Sequence, residues 1–284
     1  MILLPGPFRG SEALEQGRLS RHQLRTRYRP VFPDVYLAKT LVPSLRQRTI
    51  AAYLWSRREG VVTGLAAAAF HGSKWIDHAV DVEMLYRNPR SPRGIVVRRE
   101  SVPESEFRVT RGMALTTPAR TGFDLARRGD VGTAVARLDA LGRATKLDMT
   151  QVSRIAARHP GVRGLRQLEN VLSLVDTGAQ SPKETWLRLV LVQAGLPRPQ
   201  PQIPVHDGAD DLPFAYLDMG WRDWLVAVEY DGDQHRSDRR QYVKDIRRRE
   251  RLERMGWIVV TVVAEDRARD VVRRVRAALD SRVQ

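Results

Sequence analysis

A chain of 284 residues can bury two separate cores, and its formal charge of +15 with a pI near 10.9 favours polyanionic partners. It has no cysteine, which excludes disulfides, thiolate metal sites and cysteine nucleophiles, and suits a reducing cytoplasm. The opening Met-Ile-Leu-Leu is cut short by Pro5 and Gly6, and no apolar run approaches the ~18 residues of a membrane span, so a cytoplasmic protein without membrane contact is expected.

The positive charge is unevenly spread. Residues 1–180 carry 29 Lys and Arg against 16 Asp and Glu, whereas the remainder carries 19 against 17. Such a field favours nucleic acid over anionic membrane, because no basic amphipathic anchor stands out. Arginine outnumbers lysine 43 to 5, a ratio that a GC-rich genome explains as well as phosphate binding does.

Residues 1–42 read as a small winged-helix-like DNA-binding module. A short helix is expected over 11–16, ending at Gly17. Ser20 is an N-cap for a second helix carrying Arg21 and Arg25, and 30–37 forms an extended wing. Arg21 and Arg25 are the candidate phosphate contacts here, against the plainer reading of a solvated basic helix.

Residues 43–178 read as a mainly helical α+β body. Helices are expected over 44–58, 64–71 (capped by Thr63), from Thr117-Pro118 through Arg128, and over 132–143, 150–158 and 164–175. Strands are expected at 80–86 and 95–100. His71 and His78 have no partners at metal-ligand spacing and read as caps or surface residues. Arg120, Arg127 and Arg128 read as a solvated helix face, with phosphate contact as the alternative. Leu19-Ser20-Arg21-x-Gln23-Leu24-Arg25 with Val35-Tyr36, and then 55–75 and 116–128, resemble AbiEi-like antitoxin proteins. The resemblance implies a DNA-binding regulator, with a separately encoded toxin as a further partner.

A third domain is expected over 181–284. Ser181-Pro182-Lys183-Glu184 spells a capping box, with Glu184 reaching back to the start of the helix. A short strand follows near Ile203. Two apolar segments, 213–221 and 224–230, then predict a β-hairpin with a two-residue turn at Asp223-Trp224. An even-sized turn places Asp218 opposite Glu229 on one sheet face, and Asp231 shares that face. Three carboxylates together repel unless a positive charge lies between them, and Mg2+ (or Mn2+) is the candidate cation, on Asp218, Glu229 and Asp231. The rival reading is an acidic, solvated hairpin face. A helix over 239–255 presents Arg240, Lys244, Arg248 and Arg251 as phosphate contacts, with an Asp245–Arg248 ion pair as the alternative role for Arg248. A buried strand over 257–264 and a last helix through Val271, Val275 and Leu279 complete an α/β domain with a central mixed sheet.

Asp218, the strand ending in Glu229, Asp231-Gly232, His235, Asp245-x-x-Arg248, Leu252, Gly256 and Trp257 resemble the restriction-endonuclease-like superfamily. Within it they are most similar to the very-short-patch-repair endonucleases. The resemblance covers about 181–280. It implies a magnesium-dependent DNA endonuclease acting on double-stranded DNA, with Asp218, Glu229 and Asp231 at the ion. It also implies His235 as proton carrier and Glu184 facing the cluster from the first helix. The sequence departs from PD-(D/E)xK at Leu217, which replaces the proline, and at Asp231, which stands where the lysine should be. A non-catalytic, DNA-binding antitoxin or regulator is the alternative.

Overall fold

A computed structural model describes residues 4–208, 212–232 and 239–283, without the side chains of 239–242 and 283. The chain divides into two compact units, Met1–Ser173 and Leu174–Gln284.

The first unit opens with β1 (Phe8–Arg9), α1 (Gly10–Glu15) and α2 (Arg21–Arg27). A hairpin of β2 (Tyr28–Phe32) and β3 (Val35–Ala38) follows, and the three strands form a sheet in the order β1-β3-β2. Ser20 caps α2 reciprocally with Gln23, which satisfies two amide donors that a helix start leaves unpaired. Leu24 and Tyr28 pin the module to Ala38 in a small core of its own, while Phe32 and Val35 join the main core of the unit.

That main core lies under a five-stranded mixed sheet in the order β6-β5-β4-β8-β7. Its strands are β4 (Val61–Thr63), β5 (Val82–Leu85), β6 (Ile95–Arg98), β7 (Phe107–Thr110) and β8 (Met113–Thr116). The mainly helical α+β body expected from the sequence carries a larger sheet than anticipated. Only β5 and β6 were anticipated. β4 and β8 are buried at every position and so lack a period-two pattern, and β7 is a largely exposed edge strand. Around the sheet stand α3 (Leu45–Trp55), α4 (Gly64–Phe70), α5 (Pro118–Ala126), α6 (Val131–Thr145), α7 (Met149–Arg158) and α8 (Leu165–Leu174). Thr63 precedes α4 without capping it; its hydroxyl donates to Asp124 instead.

The second unit is a four-stranded sheet in the order β12-β11-β10-β9. Its strands are β9 (Gln200–Val205), β10 (Ala215–Trp221), β11 (Val226–Tyr230) and β12 (Ile258–Val262), with helices α9 (Pro182–Gln193), α10 (Arg239–Arg254) and α11 (Ala268–Val283). β11 and β12 run parallel, and a parallel pair needs a long crossover, which α10 supplies. Met219, Trp221, Val226, Val228, Val260 and Val262 pack with Leu187 and Leu191 of α9 and Val271, Val275 and Leu279 of α11. Leu252 of α10 belongs to a second core with Leu217, Ala227 and Trp257.

The hairpin connection is four residues, Arg222 to Leu225, rather than the two expected, because Leu225 turns the chain at φ 50°. The count stays even, so side-chain parity is preserved. Gly220 is needed where the two strands meet, since a Cβ there would lie 2.3 Å from the Val226 carbonyl oxygen. Gly220→Ala is therefore expected to destabilise the second unit by roughly 1–3 kcal/mol, measured by urea unfolding; an unchanged midpoint would show that the strands part freely.

Candidate functional site

β10 pairs with β11 through Met219↔Val228 and Gly220↔Ala227, and continuing this register sets Asp218 opposite Glu229. Both carboxylates line a pocket of about 280 Å3 together with Asp231, Tyr216, Arg248, Arg249 and Thr261. Asp218 accepts a 2.9 Å hydrogen bond from the Tyr230 amide. Burial pushes the Asp218 carboxyl up to about 7; the Tyr230 amide lowers it, and the Glu184 and Glu229 charges add to the rise. Asp231 lies just past β11, exposed, with its amide donating to the Val262 carbonyl at 2.8 Å.

The positive charge between these carboxylates is supplied by Arg248. Its guanidinium forks onto Glu229, Nη2 to Oε1 at 2.5 Å and Nη1 to Oε2 at 3.0 Å, and Nη2 also donates to the Tyr216 carbonyl at 3.0 Å. The Glu229 hydrogen bonds hold Arg248 above the ordinary guanidinium range despite burial, with the charges of Asp218 and Asp245 contributing. A bidentate fork of this kind is the strong geometry for arginine and carboxylate. Among the described residues no group of three or more His, Asp or Glu side chains is disposed to hold a metal ion. With both Glu229 oxygens on Arg248, the arrangement does not fit a cation shared by Asp218, Glu229 and Asp231.

Glu184 performs the capping role with altered partners. Its amide donates to Ser181 Oγ, while its carboxylate accepts from the Gln180 amide at 2.8 Å and from Gln202 Nε2 at 3.2 Å. It is buried, and its charge reaches Asp218, so it also faces the pair electrostatically. His235 lies outside the described residues, as does the side chain of Arg240. Lys244 is exposed, and with Arg247, Arg248, Arg251, Arg254 and Phe214 it lines an open groove of about 750 Å3. Arg251 stacks over Phe214 and pairs with Asp207. Sequence reasoning missed Tyr216 and Phe214. Two aromatic residues within four positions of Asp218 were the available signal.

In the first unit Arg21, His22 and Arg25 are exposed along α2, ahead of the β2–β3 hairpin. Arg120, Arg127 and Arg128 correct the expectation of a solvated face. Arg120 is fully buried, donating to Glu106 at 2.6 Å and to Asp124 at 3.1 Å. Arg127 donates to Asp124 and Glu100, and Arg128 reaches Glu83, Glu100 and Asp124 at 3.2 Å each. His159 Nε2 lies 2.9 Å from Glu106, and Phe123 packs beneath Arg120 and Arg127. Burial alone would raise the Glu106 carboxyl, but Arg120 and His159 hold it below the usual range. His71 closes α4 and its Nε2 sits 2.8 Å from the Thr116 carbonyl oxygen, with burial lowering its pKa.

This buried ion network falls inside the stretch that comparison with known proteins identifies. Residues 46–174 match the family model described as the AbiEi antitoxin C-terminal domain. Over 240 residues, 84% of its length, the chain is 27% identical to Uncharacterized protein Rv2248 of Mycobacterium tuberculosis (strain ATCC 25618 / H37Rv), the match spanning 87% of that protein. The same figures hold for Uncharacterized protein MT2308 of the CDC 1551 / Oshkosh strain. No solved structure matches the chain. Among the described residues no helix is long and apolar enough to cross a membrane.

Proposed function

We propose that this chain is a DNA-binding antitoxin or transcriptional regulator of the AbiEi type, working without catalysis and paired with a separately encoded toxin protein. The observation that carries the reading is the family match over 46–174. It is supported by the winged-helix-like arrangement ahead of it, in which α2 offers Arg21 and Arg25 to solvent beside a β-hairpin. The excess of basic residues in 1–180 would draw this part of the chain to duplex DNA, with phosphate contacts setting the affinity.

Binding of the full chain to duplex DNA from its own promoter tests this. Replacing both Arg21 and Arg25 by Gln is expected to weaken binding and to reduce the slope of log affinity against log salt by about 2. Undiminished affinity and slope would remove α2 from the interface.

A second reading, the Mg2+- or Mn2+-dependent endonuclease resembling the very-short-patch-repair enzymes, is favoured by one observation. Asp218, Glu229 and Asp231 line a single pocket, and a buried carboxyl as strongly perturbed as Asp218 is the kind of group that functional sites collect. For this reading Arg248 must release Glu229 before a divalent ion can share it, and Asp231 must serve without the lysine of the superfamily motif.

A further inference from the structure

The first strand of the hairpin does more than carry Asp218. Tyr216 and Asp218 line one pocket, and Phe214, just ahead of the strand, lies in the groove beside it, its amide bonding the Val205 carbonyl at 3.0 Å. α10 borders both spaces. Tyr216 is 56% exposed at the mouth of the carboxylate pocket, beside Arg248 and Arg249. Phe214 lies in the adjoining groove with Lys244, Arg247 and Arg251, the last with its guanidinium 4.3 Å from the ring centre. Arg248 lines both spaces, which makes one continuous track.

An exposed tyrosine beside a groove lined by Lys244, Arg247 and Arg254 matches a ligand that offers a flat aromatic face and a negative charge at each step. Nucleotides have both. In a duplex the base faces are covered by their stacked neighbours, and phosphate contacts alone would need no exposed ring. Unpaired nucleotides expose those faces, and aromatic platforms flanked by basic side chains are how proteins take single strands without regard to sequence. We infer that the second unit binds single-stranded nucleic acid along this track, with a base stacked on Tyr216 and the backbone held by Lys244 and Arg247. The site is separate from α2, so it stands or falls independently of duplex recognition by the first unit.

The test is fluorescence anisotropy of the full chain in EDTA, with a labelled oligothymidylate and, separately, a blunt duplex of equal length. The wild-type chain is expected to bind the oligothymidylate. Tyr216→Ala should weaken that binding roughly five- to a hundredfold while leaving duplex affinity unchanged, and Tyr216→Phe, which keeps the ring, should restore it. Tyr216 is exposed, so melting temperatures of both variants should match the parent, which separates a lost contact from a lost fold. The inference is overturned if the single strand is not bound, if Tyr216→Ala binds it as well as the parent, or if single-strand and duplex affinity fall together. Polyglutamate that displaces the oligonucleotide as readily as unlabelled oligothymidylate would also overturn it, pointing to an acidic peptide instead. Loss of duplex binding in the Arg21 and Arg25 variant, with single-strand binding intact, would show the two sites acting apart.

Discussion

Arg120→Met is expected to cost the first unit roughly 3–5 kcal/mol, the usual penalty for removing one partner from a buried ion pair. Arg120 and Glu106 are both fully buried, and Asp124 is nearly so. Without the guanidinium, Glu106 keeps Arg158 and His159, and Asp124 keeps Arg127 and Arg128, but the central bonds from Nη1 to Glu106 and from Nε to Asp124 are gone. Native stabilities are commonly ~5–15 kcal/mol, so a loss of this size threatens folding itself. Urea unfolding of parent and variant measures it. Adding Glu106→Gln to Arg120→Met should recover part of the loss, because one stranded charge is then removed as well. A loss below about 1 kcal/mol would mean that water or neighbouring arginines compensate the carboxylates.

Asp218→Asn should act in the opposite direction and depend on pH. The Asp218 carboxyl has an ordinary value of 3.8 and a folded value of about 7. Below the lower value both folded and unfolded chains hold the proton, and burial brings no titration penalty. Between the two values the unfolded chain releases its proton while the folded chain keeps it, so stability falls as pH rises. Above about pH 7 the whole penalty is present, up to roughly 4 kcal/mol and less to the extent that solvent reaches the group. Asparagine has nearly the same shape, cannot ionise, and its oxygen can still accept from the Tyr230 amide. The variant should therefore exceed the parent in stability by about 2–4 kcal/mol at pH 8 and match it near pH 4. Denaturant midpoints across that range give the answer, and parallel pH profiles for the two proteins would show that Asp218 is solvated.

What the sequence made legible was local chemistry. Ser20 and Ser181 cap the helices they precede, as residues within four positions foretold, whereas Thr63, read the same way, gives its hydroxyl to the distant Asp124. The β10–β11 hairpin and the opposition of Asp218 and Glu229 followed from alternation and an even turn, even though the turn is longer than expected. Long-range pairing was not legible. Arg120, Asp124, Arg127 and Arg128 fall on one side of α5 and its C-terminal cap, and the same spacing describes a solvated stripe or a buried one. The difference lies in Glu83, Glu100 and Glu106, which come from other strands and loops. Arg248 illustrates the same limit. Asp245 is its neighbour at i−3, but its fork closes on Glu229, 19 residues away. The sequence reading set a divalent ion among the carboxylates, whereas the positive charge against Glu229 in the structure is a guanidinium from the crossover helix.

Whether the chain binds duplex DNA and leaves it intact is decided most directly by incubating it with supercoiled plasmid, with Mg2+, with Mn2+ and with neither, and splitting each sample between a native gel and a deproteinised one. Retarded plasmid on the first gel and unchanged supercoils on the second, under all three conditions, is the predicted result. Nicked or linear plasmid that forms only with a divalent ion, and that disappears with Glu229→Gln, would contradict it and make the carboxylate pocket an active site.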